Sequence, residues 1–117
     1  MAEVLVVDDE PGIARMIRLL LTLEGVEVRV ENDAAKALAF LERERVRVIL
    51  LDLNMPVMDG RTFFRSLRAR GDATPVVLMS AHEPRVASRE LGADGFLEKP
   101  FLPDDLVDCV NRFRAPP

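Results

Sequence analysis

Apolar residues in this chain form several short runs that contain few polar positions. The clearest are Val4 to Val7 and Val46 to Leu51, and Pro75 to Met79 has the same character. Runs of this kind, rich in Val and Ile, are typical of β-strands that are covered on both faces of a sheet. Val26 to Val30 instead alternates Val with charged residues, which is the pattern of a half-exposed edge strand, and Gly95 to Leu97 supplies a short fifth strand.

Between the first strands the apolar residues recur at helical spacing. Two segments show the i, i+3, i+4, i+7 pattern of an amphipathic helix, one through Ile13, Met16, Ile17 and Leu20 and one through Ala34, Ala37, Leu38 and Leu41. Gly25 is placed to end the first helix, and Asp33 to cap the second.

The second half of the chain predicts three more helices. One begins at Asp59 and carries Phe63 and Leu67, and a weaker one falls between Glu83 and Leu91. The last helix begins at Pro103, a residue that suits the first helical position. Its apolar stripe consists of Leu106, Cys109, Val110 and Phe113.

Strands and helices therefore alternate five times, with connections too long for hairpins. This order predicts a doubly wound α/β domain, in which a parallel sheet with right-handed crossovers carries helices on both faces. We expect residues 1–117 to form one domain around a single core, with residues 115–117 as a tail or the start of a linker.

Composition narrows the classes of function. The formal net charge of −4 argues against a general nucleic-acid surface, and the arginines at 61, 65, 68 and 70 fit a solvated helix face better. The chain shows no leader and no apolar stretch long enough to span a bilayer, so we expect a soluble, cytoplasmic protein without a membrane partner. The single cysteine, Cys109, excludes an internal disulfide and fits core packing.

Polar side chains follow four of the five predicted strands. Asp8 and Asp9 follow the first strand, Asp52 ends the third, Ser80 follows the fourth and Lys99 follows the fifth. In open α/β sheets, ligands bind outside the carboxyl ends of the strands. We therefore expect these side chains to converge at one edge of the sheet.

Each of these residues also has a purely structural explanation. Asp8 or Asp9 would serve as the N-cap of the first helix, Ser80 would bond to backbone in a turn, and Lys99 would lie on the surface. Asp52 is harder to explain in this way, because it ends a buried run and is followed by a loop.

Taken together, the polar residues predict a metal-assisted phosphoryl site. Three carboxylates at one point raise one another's proton affinity unless a cation neutralises them. Oxygen ligands without His or Cys favour Mg²⁺, with Mn²⁺ as a substitute, and Mg²⁺ commonly binds one or two carboxylates together with a substrate phosphate. A lysine and a hydroxyl at the same point suit phosphoryl oxygens.

Four motifs, taken in their order along the chain, resemble the receiver domain of two-component response regulators, of the chemotaxis-regulator type. They are Val6-Val7-Asp8-Asp9-Glu10-Pro11, Leu50-Leu51-Asp52-Leu53-Asn54-Met55-Pro56-Val57-Met58-Asp59-Gly60, Met79-Ser80-Ala81-His82 and Glu98-Lys99-Pro100-Phe101. The resemblance covers essentially the whole chain. It implies a flavodoxin-like (βα)₅ fold with strand order 2-1-3-4-5.

The resemblance also implies a role for each residue at the sheet edge. Asp52 would accept a phosphoryl group from a histidine kinase or a phosphotransfer protein, with Lys99 pairing with the phosphoryl oxygens and Ser80 bonding to one of them. Such a protein takes part in its own phosphorylation and dephosphorylation but is not a conventional turnover enzyme.

The implied Mg²⁺ site uses neighbouring oxygen atoms. Asp9 and Asp52 would bind the ion directly with the main-chain carbonyl of Asn54, and Asp8 would act through a bound water. The implied downstream partner is an output domain or another protein, and the family allows a phosphorylation-dependent dimer.

Three further expectations come from the resemblance. Ser80 would move toward the phosphoryl group while Phe96 turns inward, which makes a two-state switch. The Lys99-Pro100 peptide bond would be cis. His82, two positions after Ser80, is placed to affect how long the phosphoryl group survives water, and its alternative is an exposed loop histidine.

The chain departs from the family pattern near its fourth helix. Lys99 follows Ser80 by 19 positions, which is about three residues fewer than is common in the family, close to one helical turn. Pro84 suits a first-turn position but not a longer N-terminal extension. We therefore expect a shortened fourth helix and an altered signalling face.

Three other functions compete with this interpretation. A phosphatase of the haloacid-dehalogenase type would carry a second Asp two positions after Asp52, where this chain has Asn54, and would need a cap domain. A flavin-binding module would place a phosphate loop where this chain has acidic residues. A receiver-like module that is never phosphorylated would lack part of the acidic set that this chain retains.

Overall fold

Five strands and five helices alternate in the part of the chain that the structure describes. The computed structural model describes residues 2–56 and 58–114. The strands are β1 (Val4–Val7), β2 (Val28–Glu31), β3 (Val48–Asp52), β4 (Val76–Ser80) and β5 (Gly95–Glu98). The helices are α1 (Pro11–Leu23), α2 (Ala34–Arg43), α3 (Gly60–Ala69), α4 (Pro84–Leu91) and α5 (Pro103–Arg114).

The strands form one parallel sheet in the order β2-β1-β3-β4-β5. In this register Val4 of β1 lies opposite Val28 on one side and Val48 on the other. The predicted flavodoxin-like strand order is therefore confirmed. All five carboxyl ends meet at one edge, where such folds bind ligands.

Alternate residues of the strands pack on opposite faces of the sheet. Leu5 and Ile49 belong to one buried cluster with residues of α2 and α3, and Val4 and Val48 to a second with residues of α1 and α5. Because both faces are covered, the central strands are apolar at consecutive positions. Cys109 is 1% exposed within the second cluster, which confirms its predicted core position.

The structure corrects several predicted boundaries and one helical face. β3 begins at Val48 rather than Val46 and includes Asp52, and β2 begins at Val28 rather than Val26. Val26 nevertheless lies in the core. The apolar residue at this position therefore indicates burial but not membership of the strand. In α1 the buried residues are Ala14, Ile17 and Leu21, whereas Met16 is 40% exposed.

The helix ends follow local backbone preferences. Asp33 caps α2 by accepting a hydrogen bond from the N–H of Lys36, as predicted. The fourth helix is short, with 8 residues, which confirms the prediction from spacing. Pro84 is its first residue, and Glu83 before it has a left-handed backbone with φ of 45°.

The proposed tail, residues 115–117, lies outside the described residues, as does Val57 of the second motif. Within residues 2–56 and 58–114, the structure contains no helix with the length and hydropathy needed to cross a membrane.

Candidate functional site

Buried polar side chains concentrate at the carboxyl edge of the sheet. In the part of the chain that the structure describes, these side chains are Asp8, Asp52, Ser80 and Ser88. The first three follow or end β1, β3 and β4, which are neighbours in the sheet. Burying a polar group costs free energy unless it finds a partner, so this concentration marks a candidate site.

Asp8 is held by one backbone and one side-chain contact. Its Oδ1 accepts a hydrogen bond of 2.9 Å from the N–H of Glu10, and its Oδ2 lies 3.2 Å from Nζ of Lys99. The N-cap residue of α1 is Glu10, whose side chain makes no capping hydrogen bond. The explanation of Asp8 or Asp9 as the helix cap is therefore wrong.

Asp52 combines one satisfied oxygen with one that has no hydrogen-bond partner. Oδ1 accepts a hydrogen bond of 3.0 Å from the N–H of Asn54 and lies 3.4 Å from Nζ of Lys99. Oδ2 is buried and, within the described residues, accepts no hydrogen bond. A buried carboxylate oxygen without a partner is costly, so this atom is positioned for a metal ion or a reacting group.

Lys99 joins the carboxylates across the site. Its side chain is only 13% exposed, and its Nζ also lies 3.9 Å from Oε1 of Glu10. Its backbone N–H donates to the carbonyl oxygen of Ser80, which fixes the end of β5 against β4. The explanation of Lys99 as an ordinary surface lysine is wrong.

The charges at the site shift two pKa values. Burial raises the pKa of Asp8, and the charge of Asp52 adds to this, while the Glu10 N–H and the Lys99 ammonium oppose the shift without cancelling it. Burial alone would lower the pKa of Lys99, but Asp8 and Asp52 outweigh it and raise that pKa. The ammonium therefore remains charged and stabilises both carboxylates.

Carboxylates of Asp8, Glu10 and Asp52 meet within 4.8 Å of one another. Three carboxylates facing one ammonium leave an excess of negative charge, which suits a divalent cation. Glu10 is not among the site residues that the strand pattern predicts. The signal was present in the acidic run after β1, because the turn at Asp8 brings the side chain of residue 10 back over the sheet edge.

Asp9 is not part of this group but lines a cavity of about 570 Å³. Asn54, Ser80 and His82 line the same cavity, and so does Arg61, which the sequence reasoning did not select. The hydroxyl of Ser80 accepts a hydrogen bond of 3.0 Å from the N–H of His82 and donates one of 3.2 Å to its carbonyl oxygen. Ser80 therefore bonds to backbone in a turn, as predicted, and it also lines the cavity.

Gly60 fixes the start of α3 against the end of β3. A Cβ atom at this position would lie 2.6 Å from the carbonyl oxygen of Asp52 and 2.7 Å from Cα of Leu53. The N–H of Gly60 donates to the carbonyl oxygen of Leu53. The absence of a side chain is therefore what allows the helix to approach Asp52.

Comparison with models of known protein families matches residues 4–111 to the response regulator receiver domain. The chain belongs to this family. Receiver domains are parts of two-component signalling proteins, so the match confirms the resemblance seen in the sequence. It also makes the haloacid-dehalogenase and flavin-binding alternatives unnecessary.

Curated relatives of this receiver domain are longer proteins. The chain is 42% identical over 115 residues to the transcriptional regulatory protein PrrA of Mycobacterium tuberculosis, which covers 96% of this chain and 48% of that protein. It is 36% identical over 111 residues to the response regulator MprA of Mycobacterium leprae, covering 92% and 49%. The chain thus spans about half the length of these relatives.

Solved structures of similar size share the fold. The chemotaxis protein CheY4 of Vibrio cholerae superimposes on this receiver domain with a TM-score of 0.86 and 36% identity, covering 97% of this chain and 98% of that one. The receiver domain of the Francisella response regulator 1452 gives a TM-score of 0.89 and 32% identity, covering 97% and 96%.

Two other predicted positions lie near β5. The Lys99-Pro100 peptide bond is cis. Phe96 is 40% exposed.

Proposed function

We propose that this receiver domain, residues 1–117, accepts a phosphoryl group on Asp52 from a histidine kinase or a phosphotransfer protein and then switches conformation. The observation that supports this most directly is the buried Oδ2 of Asp52, which lacks a hydrogen-bond donor within the described residues. The other oxygen is held by the Asn54 N–H and by Lys99. One carboxylate oxygen is thus positioned, and the second is left for chemistry.

The transfer is a displacement at phosphorus. Oδ2 of Asp52 forms a bond to the phosphorus while the bond from phosphorus to the histidine nitrogen breaks, and the imidazole departs with the electron pair. The charge of Lys99 would offset the negative charge on the transferring group, to which Ser80 would also bond. The product is a mixed anhydride, and the protein does not otherwise turn over a substrate.

The same edge suits Mg²⁺ or Mn²⁺. Direct ligands would be Asp9, Asp52 and the main-chain carbonyl of Asn54, with Asp8 acting through a water. The carboxylate group of Asp8, Glu10 and Asp52 and the all-oxygen donor set support this choice. When bound, the ion would neutralise the carboxylates and the phosphoryl oxygens. Glu10, which the structure brings to the carboxylate group, is an alternative outer ligand.

The switch would use Ser80 and Phe96. Movement of Ser80 toward the phosphoryl group would break both of its hydrogen bonds to the His82 backbone. The exposed Phe96 ring would then turn inward. His82 is exposed beside the site, where it would affect access of water to the anhydride.

Signalling partners are proposed from the relatives. Both relatives are about twice as long as this chain, and PrrA is named a transcriptional regulatory protein, so we propose that the receiver controls an output domain or a partner protein. The receiver itself would not bind nucleic acid, and phosphorylation would act through dimerisation or docking. The 8-residue α4 would change the shape of that face.

Intact-mass spectrometry tests the phosphoacceptor. With Mg²⁺ and acetyl phosphate, the wild type should gain one phosphoryl mass that hydroxylamine removes, and a chelator should prevent the gain. Asp52→Asn should gain none, whereas Asp104→Asn, which changes an exposed carboxylate on α5, should behave as the wild type. Equal gain in Asp52→Asn would refute the assignment.

A further inference from the structure

The cavity lined by Leu53 and Asn54, which follow Asp52 in the chain, has a basic side chain among its described residues. Arg61, the second residue of α3, lines this cavity of about 570 Å³ together with Asp9, Asn54 and Ser80. Among the described residues that line it, Arg61 is the only Lys or Arg. Arginine carries a planar guanidinium cation with several N–H donors, which suits recognition of an anion.

The backbone fixes where Arg61 begins. Gly60 packs so closely on the Asp52 carbonyl that no side chain fits between them, and its N–H donates to Leu53. The Cα of Arg61 is therefore held one residue from that contact. Arg61 thus lines the cavity from a fixed helix start rather than from a free loop.

Arg61 has a weakly held partner on the neighbouring helix. Its Nη1 lies 3.6 Å from Oε2 of Glu90 in α4, and the two side chains are 40% and 62% exposed. This separation exceeds that of a charge-assisted hydrogen bond, and exposed pairs contribute little stability. An anion in the cavity would therefore compete with Glu90 for the guanidinium at small cost.

We propose that Arg61 is a specificity-determining residue that favours acyl phosphates, the phosphodonors whose leaving group departs as an anion. Glu90 limits this preference, because it pairs with the same guanidinium. The proposal rests on phosphorylation of Asp52. The site would then prefer acyl phosphates among small donors, and the charge of Arg61 would set that preference.

The chemistry of the leaving groups distinguishes two donors. With an acyl phosphate, the bond from Asp52 to phosphorus forms, the bond from phosphorus to the acyl oxygen breaks, and a carboxylate departs with the electron pair and no proton. With phosphoramidate, the bond from phosphorus to nitrogen breaks, and the protonated nitrogen departs as neutral ammonia. Both donors deliver the same phosphoryl group. A cation near the departing group therefore speeds only the transfer from the acyl phosphate, whose leaving group is an anion.

Phosphorylation rates with acetyl phosphate and with phosphoramidate test the proposal. Arg61→Gln should slow phosphorylation by acetyl phosphate about two- to fivefold, the effect expected for one partly exposed charge pair, and leave the phosphoramidate rate unchanged. Arg61→Lys should recover most of the acetyl phosphate rate. Arg65→Gln, which removes an exposed arginine one turn later in α3, is the matched control and should change neither rate.

Glu90 supplies the reciprocal test. Glu90→Gln should speed phosphorylation by acetyl phosphate, and the double variant with Arg61→Gln should match Arg61→Gln alone. Glu90→Gln leaves Arg61 intact. Its acetyl phosphate rate therefore tests the proposal even if Arg61→Gln lowers the thermal unfolding midpoint. Added salt should shrink each difference.

Several results would overturn the proposal. An unchanged acetyl phosphate rate in Arg61→Gln would remove the residue from donor recognition, and equal slowing with both donors would refute a leaving-group preference. An unchanged rate in Glu90→Gln would refute the competition. Failure of the wild type to be phosphorylated by either donor would instead overturn the function proposed for Asp52, and this inference with it.

Discussion

The Nζ atom of Lys99 lies 3.4 Å from Oδ1 of Asp52, so the end of β5 places a cation against the end of β3 across the intervening strand. The same atom lies 3.2 Å from Oδ2 of Asp8. Two buried carboxylates thus share one ammonium. Each of the three residues changes the electrostatic environment of the other two, and this coupling leads to the first three predictions.

Replacing Lys99 by Ala should lower the free energy of unfolding by about 1–3 kcal/mol without divalent cations, because Asp8 and Asp52 lose their compensating charge. Mg²⁺ should restore part of the loss, since an ion that binds only the folded state stabilises it by mass action. Urea unfolding with and without Mg²⁺ measures both effects. Lys36→Ala, at an exposed position on α2, is the control, and equal stability of the two variants would contradict the prediction.

The same variant should separate phosphorylation from switching. Lys99→Ala keeps the Asp52 carboxylate and should retain some phosphorylation, but it lacks the charge that pairs with the phosphoryl oxygens. Amide exchange around Phe96 should then respond to phosphorylation in the wild type and not in the variant. A full response in the variant would remove Lys99 from the switch.

Asp8→Asn should raise the free energy of unfolding at pH 7 without divalent cations, by about 0.5–2 kcal/mol, as is usual when an unfavourable charge is removed. Asn retains an oxygen that accepts the Glu10 N–H. The pKa of Asp8 is raised, so its contribution to stability is present below the ordinary Asp pKa and is lost as pH rises through the raised value.

Unfolding curves from pH 4 to pH 8 check the sign of this effect. The advantage of Asp8→Asn over the wild type should grow with pH and shrink when Mg²⁺ is added. A difference that is constant with pH would show that the charge of Asp8 is not its source.

The order of the elements could be predicted because hydrophobic period distinguishes buried strands from amphipathic helices. The boundaries could not, since strand ends depend on hydrogen-bond pairing. Val46 is apolar and packs against the core, but β3 begins at Val48. Met16 has the right spacing for the buried face of α1 and is nevertheless exposed, because the sheet lies against the Ala14 and Ile17 side of the helix.

At the site, topology alone brought Asp8, Asp52, Ser80 and Lys99 to one sheet edge, since each follows or ends a strand. The missed residues, Glu10 and Arg61, are not at strand ends. Their long side chains reach the site from helix starts, and nothing in a strand-by-strand inspection indicates where such side chains point. Only the packing of α1 and α3 on the sheet reveals their positions.

Asp59→Ala should lower the free energy of unfolding at pH 7 by about 1 kcal/mol, the usual effect of losing an N-cap. Oδ1 of Asp59 accepts a hydrogen bond of 2.8 Å from the N–H of Thr62, and this bond holds the pKa of Asp59 below its ordinary value. A lowered pKa means that the stabilisation is present above the ordinary Asp pKa of about 3.9 and is lost as pH falls through the folded value. Urea unfolding should therefore show a smaller difference in free energy between the wild type and Asp59→Ala at pH 3 than at pH 7. Asp59→Asn retains a capping oxygen and should lose less free energy of unfolding at pH 7 than Asp59→Ala.

Gly60→Ala should disturb the phosphoacceptor itself. The new methyl group would meet backbone atoms of Asp52 and Leu53 at 2.6 and 2.7 Å, and backbone cannot move aside as a flexible side chain does. We expect a loss of about 1–3 kcal/mol in the free energy of unfolding, typical of overpacking, together with slower phosphorylation because Asp52 is displaced. Gly12→Ala is the matched control, since a Cβ atom at that helical position meets nothing within 4 Å. If both variants were phosphorylated at the wild-type rate, the contact of α3 with the end of β3 would not position Asp52.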